Sequence, residues 1–207
     1  EQTLSSELCY GISSNDTFKL LSWLKTSTGC QFDQLIDITV VDYIHYGQSE
    51  WKTQNSNTGY SRGTSKVNSS GHPEVSNCRF VVVHQLLSTE LNWRLRIHSW
   101  VQSNPAEIDS AVSIWPSANW LEREAYDLFG VVFKGHPDLR RILTDYGFKG
   151  YPFRKDFPLV GFTEMRYDAA KERVIYQPVS IENRVTVPKT IRDDSRYVPT
   201  ESRDAND

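Results

Sequence analysis

Apolar residues first recur at helical intervals: Phe18, Leu21 and Leu24 share one side of the stretch NDTFKLLSWLKTST. That spacing predicts a helix over 15–28, capped by Asn15 or Asp16 and stopped by Gly29. The period then changes. Residues 35–46, LIDITVVDYIHY, are dense in β-branched and aromatic side chains and predict a strand. Two more strands are expected at 78–87, CRFVVVHQLL, and 92–101, NWRLRIHSWV, paired as a hairpin across STE. In the second, Trp93, Leu95, Ile97 and Ser99 alternate with Arg94, Arg96, His98 and Trp100, as in a sheet with one more polar face. IDSAVSIW gives a short helix or strand before Pro116. A second helix is expected in ANWLEREAYDLFG, with Leu121, Ala125 and Leu128 as its buried stripe. Asn119 and Glu122 have the spacing of a capping box, and Gly130 suits the position after the helix. A short VVF segment follows. Farther on, GFTEMRYD and KERVIYQPV, around Asp168-Ala169-Ala170, form a hairpin or extended arms.

These elements add up to an α/β fold of α+β character: a mixed small sheet packed with helices, followed by an extended C-terminal segment. Between Gly47 and Asn77, seven serines, four asparagines and four glycines replace the apolar pattern, which predicts a surface insertion. From Val187 onward the chain is polar and reads as a tail. The expected organisation is an N-terminal domain over 1–137, carrying the insertion at 47–77, and an extended assembly segment and tail over 138–207.

Composition narrows the chemistry. A net charge of -3 over 207 residues argues against a basic nucleic-acid binder. No apolar run reaches the ~20 residues of a membrane span, so no direct span is expected. Cys9, Cys30 and Cys78 are odd in number and far apart, which fits neither a disulfide scaffold nor a CxxC metal site. None of the five histidines lies in an HExxH motif. His84 and His98 could meet across the predicted hairpin, and His136 before Pro137 shapes a turn. Glu124 and Asp127 are three apart and share a side of the second helix, but Arg123 between them points to a surface charge network rather than an acid–base pair. Gly147 and Gly150 lie in no phosphate-binding motif. The stretch DLRRILTDYGFKGYPFRKDFP, residues 138–158, interleaves arginine, lysine, aspartate and aromatic residues, the mixture of a protein-contact surface.

NWLEREAYDLFGVVFKGHPDLRRILTDYGFKGYPFRKDFPL, with LIDITVVDY upstream and MRYDAAKERVIYQPV downstream, resembles the 30-kDa subunit family of respiratory complex I, the proton-pumping NADH:ubiquinone oxidoreductase. The resemblance runs approximately from Phe18 to Pro178, interrupted by the polar insertion. It implies an α/β domain and an extended segment docked on a 49-kDa-type quinone-reducing subunit in the peripheral arm, beside other peripheral-arm subunits. It also implies a noncatalytic chain with no catalytic, cofactor-binding or metal residues, the flavin and iron–sulfur clusters being held by partner subunits. The family-like positions are Glu122, Arg123, Glu124, Tyr126 and Asp127 in the helix, then Arg140, Arg141, Asp145, Tyr146, Phe148, Arg154, Lys155, Asp156 and Pro158. Their implied role is structural and interfacial. A related assembly subunit of a membrane-bound nickel–iron hydrogenase is the alternative. The close match favours a mitochondrial copy on the matrix side of the inner membrane, with the cytoplasmic side of a bacterial plasma membrane as the other setting. Val40 stands where the family has a glycine-like position, and the 47–77 insertion is longer than the usual turn.

Overall fold

The computed structural model describes residues 8–44, 48–49, 67–68, 78–102 and 104–181. Contacts divide the chain into two units, one of Glu1–His45 with His72–Val179 and one of Tyr46–Gly71 with Ser180–Asp207. In the second unit the described element is a two-residue ladder of β3 (Gln48–Ser49) and β4 (Val67–Asn68). The rest of the expected insertion and the polar tail lie outside the described residues.

The first unit is built on a four-stranded sheet. Its strands are β1 (Leu8–Ser13), β2 (Gln34–Asp42), β5 (Phe80–Ser88) and β6 (Trp93–Val101), in the order β1-β6-β5-β2. β5 pairs antiparallel with both β6 and β2, and β1 runs parallel to β6. The expected hairpin is therefore present, and its turn carries Asn92 at a positive φ of 51°. β1 was missed by sequence reasoning: as an exposed edge strand, LCYGIS lacks a clean apolar alternation.

Alternation decides what faces the core. On β6, Leu95, Ile97, Ser99 and Val101 are buried, and on β2 Leu35, Ile38 and Val40 join them. A bulge between Leu35 and Asp37 turns Ile36 out to solvent and re-aims the strand behind it. α1 (Ser14–Thr26) packs its Leu21 and Leu24 into this core, and α2 (Ala118–Phe129) adds Ala125, Leu128 and Phe129. Burying these side chains supplies about 1.5–3 kcal/mol for each large one. A polar tie fixes α1 on the sheet: the buried Thr17 hydroxyl donates to Ser99 Oγ at 2.9 Å and reaches the Ser13 carbonyl at 3.1 Å.

Both helices begin differently from their capping signals. α1 starts directly off β1 at Ser14, leaving Asn15 and Asp16 exposed inside its first turn, and its N-cap residue Ser13 makes no side-chain cap bond. It ends at Ser27, before Gly29, where the Ser27 amide bonds back to Trp23. α2 starts at Ala118, and Glu122 does not close a capping box with Asn119, because its carboxylate is bonded elsewhere. Gly130 does end α2, in the left-handed conformation at φ 75°. IDSAVSIW becomes the short strand β7 (Glu107–Asp109) followed by a turn, and β7 pairs in parallel with β8 (Val132–Lys134), the VVF segment. The last two elements are β9 (Thr163–Asp168) and β10 (Arg173–Pro178), the antiparallel hairpin expected there. Among the described residues no helix is long and apolar enough to cross a membrane.

His84 and His98 do not meet. His84 pairs with Ile97 in the ladder and points into the core, whereas His98 pairs with Val83 and points to the other face. His84 is fully buried, its Nδ1 has no partner, and burial lowers its pKa to about 4. The folded state thus refuses a proton that the unfolded chain accepts below pH 6.5, so this residue makes stability rise as pH climbs from about 4 to 6.5. His84→Leu should flatten that part of the profile. Denaturant midpoints measured at pH 4.5 and pH 7 should differ less in the variant than in the wild type; an equal difference would refute the assignment.

Candidate protein interface

α2 turns its charges inward. Glu122, Arg123 and Asp127 are buried and Glu124 is exposed, so Glu124 and Asp127 do not share a side and the charges do not form a surface network. Each buried charge has a separate set of partners. The Ser110 hydroxyl donates to one Glu122 oxygen at 2.6 Å and the Ala111 amide to the other at 2.7 Å, which joins α2 to the end of β7. Burial raises the Glu122 pKa to about 7 against these two donors. Arg123 donates from Nε to the Arg140 carbonyl at 3.1 Å and lies over the Trp120 ring. Half-buried Tyr126 offers its carbonyl to the Gly130 amide.

Asp127 organises the chain that follows. Its Oδ2 accepts the amides of Ile142, Leu143 and Thr144 at 3.1, 2.8 and 2.9 Å. Its Oδ1 accepts the Thr144 hydroxyl at 2.5 Å and Arg141 Nη1 at 3.2 Å. Burial pushes this carboxyl up, but the Thr144 hydroxyl and the three amides outweigh it and hold Asp127 below its usual range. Arg141 continues the chain of contacts: Nη2 donates to the Gly150 carbonyl at 3.0 Å, and the guanidinium faces the rings of Tyr151 and Phe148.

A second anchor lies at the end of β2. Asp42, buried, accepts two bonds from Arg79 at 2.9 and 2.7 Å, the amide of Ile44 at 3.1 Å and the amide of Lys155 at 3.0 Å. Arg79 also pairs with Asp156 at 2.9 Å. Arg154 lies between the anchors, donating from Nε to the Phe129 carbonyl at 2.5 Å and stacking on Tyr151 at 4.3 Å and Phe80 at 5.1 Å. Gly130 makes this approach possible: a Cβ there would stand 2.5 Å from Arg154 Nη2 and 2.6 Å from the Tyr151 ring. His136 shapes the turn as expected, accepting the Asp138 amide on Nδ1 and contacting the Asn119 carbonyl through Nε2.

The arginines of 138–158 therefore have partners within the chain, and a set of large apolar side chains faces out beside the exposed charges. Leu143, Tyr146, Phe153, Leu159 and Phe162 are all exposed, Tyr146 and Leu159 completely. Phe148 and Pro158 are half-buried, Phe148 against Phe157. Arg140, Asp145 and Lys155 are exposed, Arg140 pairing with Asp138 and Asp145 accepting the Tyr176 hydroxyl. On the β9–β10 ribbon, Met165 opposite Tyr176 and Tyr167 opposite Val174 make one apolar, exposed face. Sequence reasoning missed Asp42 and Arg79, which lie more than 70 residues from the segment they hold; no local spacing signals such a contact. Among the described residues no group of three or more His, Cys, Asp or Glu side chains is placed to hold a metal ion.

Residues 10–163 match the family described as respiratory-chain NADH dehydrogenase, 30 Kd subunit. The NADH-quinone oxidoreductase C subunit of Coxiella burnetii (strain RSA 493 / Nine Mile phase I) is 54% identical over 167 residues, covering 80% of this chain and 74% of that protein. Its counterpart in Hydrogenovibrio crunogenus is 50% identical over 192 residues, covering 91% of this chain and 85% of that protein. Among solved structures, Nqo5 of a trypsin-resistant fragment is similar at TM-score 0.50 and 27% identity, over 67% of this chain and 87% of that one. A chain of an archaeal membrane-bound sulfane sulfur reductase shares the fold at TM-score 0.54 and 21% identity, over 77% of this chain and 76% of that one.

Two outcomes test the site's energetics. Asp127→Ala leaves three amides and Arg141 without their acceptor, so the chain should lose about 3 kcal/mol or more in denaturant unfolding; a loss below about 1 kcal/mol would show that Asp127 does not hold the segment. Glu122 has the opposite pH sign from the aspartates. Its folded pKa, near 7, lies above the ordinary 4.5, so its contribution is complete below pH 4.5 and is lost as pH rises through about 7. Glu122→Gln should match the wild type's denaturant midpoint at pH 4.5 and exceed it at pH 8, and a constant offset would refute the assignment.

Proposed function

We propose a role from one premise: the chain belongs to the family of respiratory-chain NADH dehydrogenase 30 Kd subunits. Within such an assembly it acts as a noncatalytic scaffold of the peripheral arm, seated beside a 49-kDa-type quinone-reducing subunit and supporting electron transfer from NADH to quinone. The observation that carries this reading is the contrast across residues 138–162. The charged groups Asp127, Arg141, Arg154, Asp42 and Arg79 fasten the segment from inside, while Leu143, Tyr146, Phe153, Leu159 and Phe162 stand outside. A cluster of large apolar side chains on a fastened segment is the composition of a protein contact, with aromatic anchors at its centre and charges at its rim. Arg140, Lys149 and Lys155 supply that rim. Asp145, Tyr146, Phe148 and Pro158 act there together, and Glu122, Arg123, Glu124 and Tyr126 act through the helix that carries the segment.

The Coxiella and Hydrogenovibrio relatives are bacterial, whereas the sequence favoured a mitochondrial copy. The proposed position is the same in both settings: the matrix side of a mitochondrial inner membrane or the cytoplasmic side of a bacterial plasma membrane. Flavin and iron–sulfur clusters belong to partner subunits in this reading.

The double change Tyr146→Ala and Leu159→Ala removes two fully exposed side chains. It should leave the thermal midpoint of the isolated chain unchanged and weaken its association with the purified assembly by about 30-fold, the equivalent of a ~2 kcal/mol hot spot. Wild-type association in the variant would overturn the interface; turnover of NADH or quinone by the isolated chain would overturn the scaffold role.

A further inference from the structure

The four-stranded sheet has two edges, and the chain treats them differently. At the β2 edge a bulge interrupts the ladder between Leu35 and Asp37, Asp37 brings a charge, and α2 packs alongside. The Ser117 hydroxyl also reaches the Leu35 carbonyl at 3.5 Å. These are devices that keep a sheet edge from pairing with another chain. β1 has none of them. LCYGIS holds no charge and no proline, and it pairs with β6 in unbroken register from Leu8 to Ser13. Among the described residues no strand lies beyond β1, so every second residue there turns its N–H and C=O outward. Side chains add a second feature at this edge. In register with Leu95 and Ile97, Leu8 and Tyr10 lie on the helix-bearing face, yet are 53% and 55% exposed. Leu8 forms one wall of a cleft of about 640 Å³, with Leu24, Cys30, Phe32, Trp93 and Leu95 as its other apolar walls. The exposed Arg94 also lines it and makes no ion pair among the described residues.

We propose that the β1 edge docks one extended segment of a neighbouring protein, which adds a fifth strand to the sheet and places an apolar side chain at the cleft. This rests on the scaffold reading above and adds to it a second contact, apart from residues 138–162. The open backbone is what selects a strand: main-chain hydrogen bonds supply affinity, and alternate side chains supply specificity. The segment therefore carries large apolar residues at every second position, against Leu8 and Tyr10, and an acid where it passes Arg94. A second copy of this chain fits less well. Its β1 runs straight into α1 at Ser14, so an antiparallel copy would bring the start of a helix to the cleft instead of more strand.

Hydrogen exchange is read residue by residue on the full chain, alone and joined to the purified assembly. In the joined chain, alternate amides from Leu8 to Ser13 should exchange at least about tenfold more slowly, while those of β2 keep their rates. Tyr10→Lys puts a charge where the added strand packs. It should weaken association about tenfold and leave the thermal midpoint of the isolated chain unchanged. A chain that joins the assembly with its β1 amides unaltered overturns this docking site and leaves the scaffold role standing, as does wild-type association of Tyr10→Lys. Failure to join overturns both. Slowing of the same amides in the isolated chain as its concentration is raised makes the occupant a second copy and overturns the assignment to a neighbour.

Discussion

A carboxylate taken out of water must be given donors, and the buried carboxylate of Asp127 takes them from the stretch just after β8. Three consecutive amides, a hydroxyl and a guanidinium converge on its two oxygens. The consequence is directional. Residues 141–144 must lie against the C-terminal half of α2, which in turn sets where Arg141 and the residues after it can go. A helix that would otherwise only cover a sheet thereby dictates the path of a loop that has no regular structure of its own.

Asp42 repeats this device on a strand. It collects Arg79, the Ile44 amide and the Lys155 amide, and burial, the first influence on its pKa, is outweighed by Arg79 and the amides, so the carboxyl lies below its usual range. Together the two aspartates pin the segment at 141–144 and at 155. Arg154 and Tyr151 pack in the gap where Gly130 has no side chain. Both aspartates stabilise the fold most above their unfolded pKa values and lose that contribution on acidification, opposite to Glu122, which shares α2 with Asp127.

Much of this was legible in the sequence, because local rules govern it. A dense apolar run located β5, alternation located β6, helical spacing located α1 and α2, and Gly130 marked the end of α2. What escaped depended on distance or on competition. β1 owes its place to a parallel partner more than 80 residues away, and Asp42 is joined to Lys155 across 113 positions. The capping box failed because Glu122 found better donors in Ser110 and Ala111 than in its own helix end. The charges of α2 were expected on the surface, since charged residues are seldom buried; here Asp127 has partners that outweigh the cost of burial, whereas the two donors of Glu122 do not, and its carboxyl is pushed up. The residues implied by the resemblance do cluster around α2 and the segment after it, but their side chains divide between fastening inward and facing outward.

The inward fastening of residues 141–155 bears on how a larger assembly could be put together. A loop that becomes ordered only when it meets its neighbour loses about 1–2 kcal/mol of backbone entropy per residue at that moment. Here the ordering is completed within the monomer by its own carboxylates and arginines, so that loss is part of folding and is not charged to docking. The exposed side chains are presented in advance, as on a rigid template, and encounter with a neighbour needs no search through loop conformations. In the proposed scaffold role, the ordering cost of this segment is therefore met before any neighbour arrives.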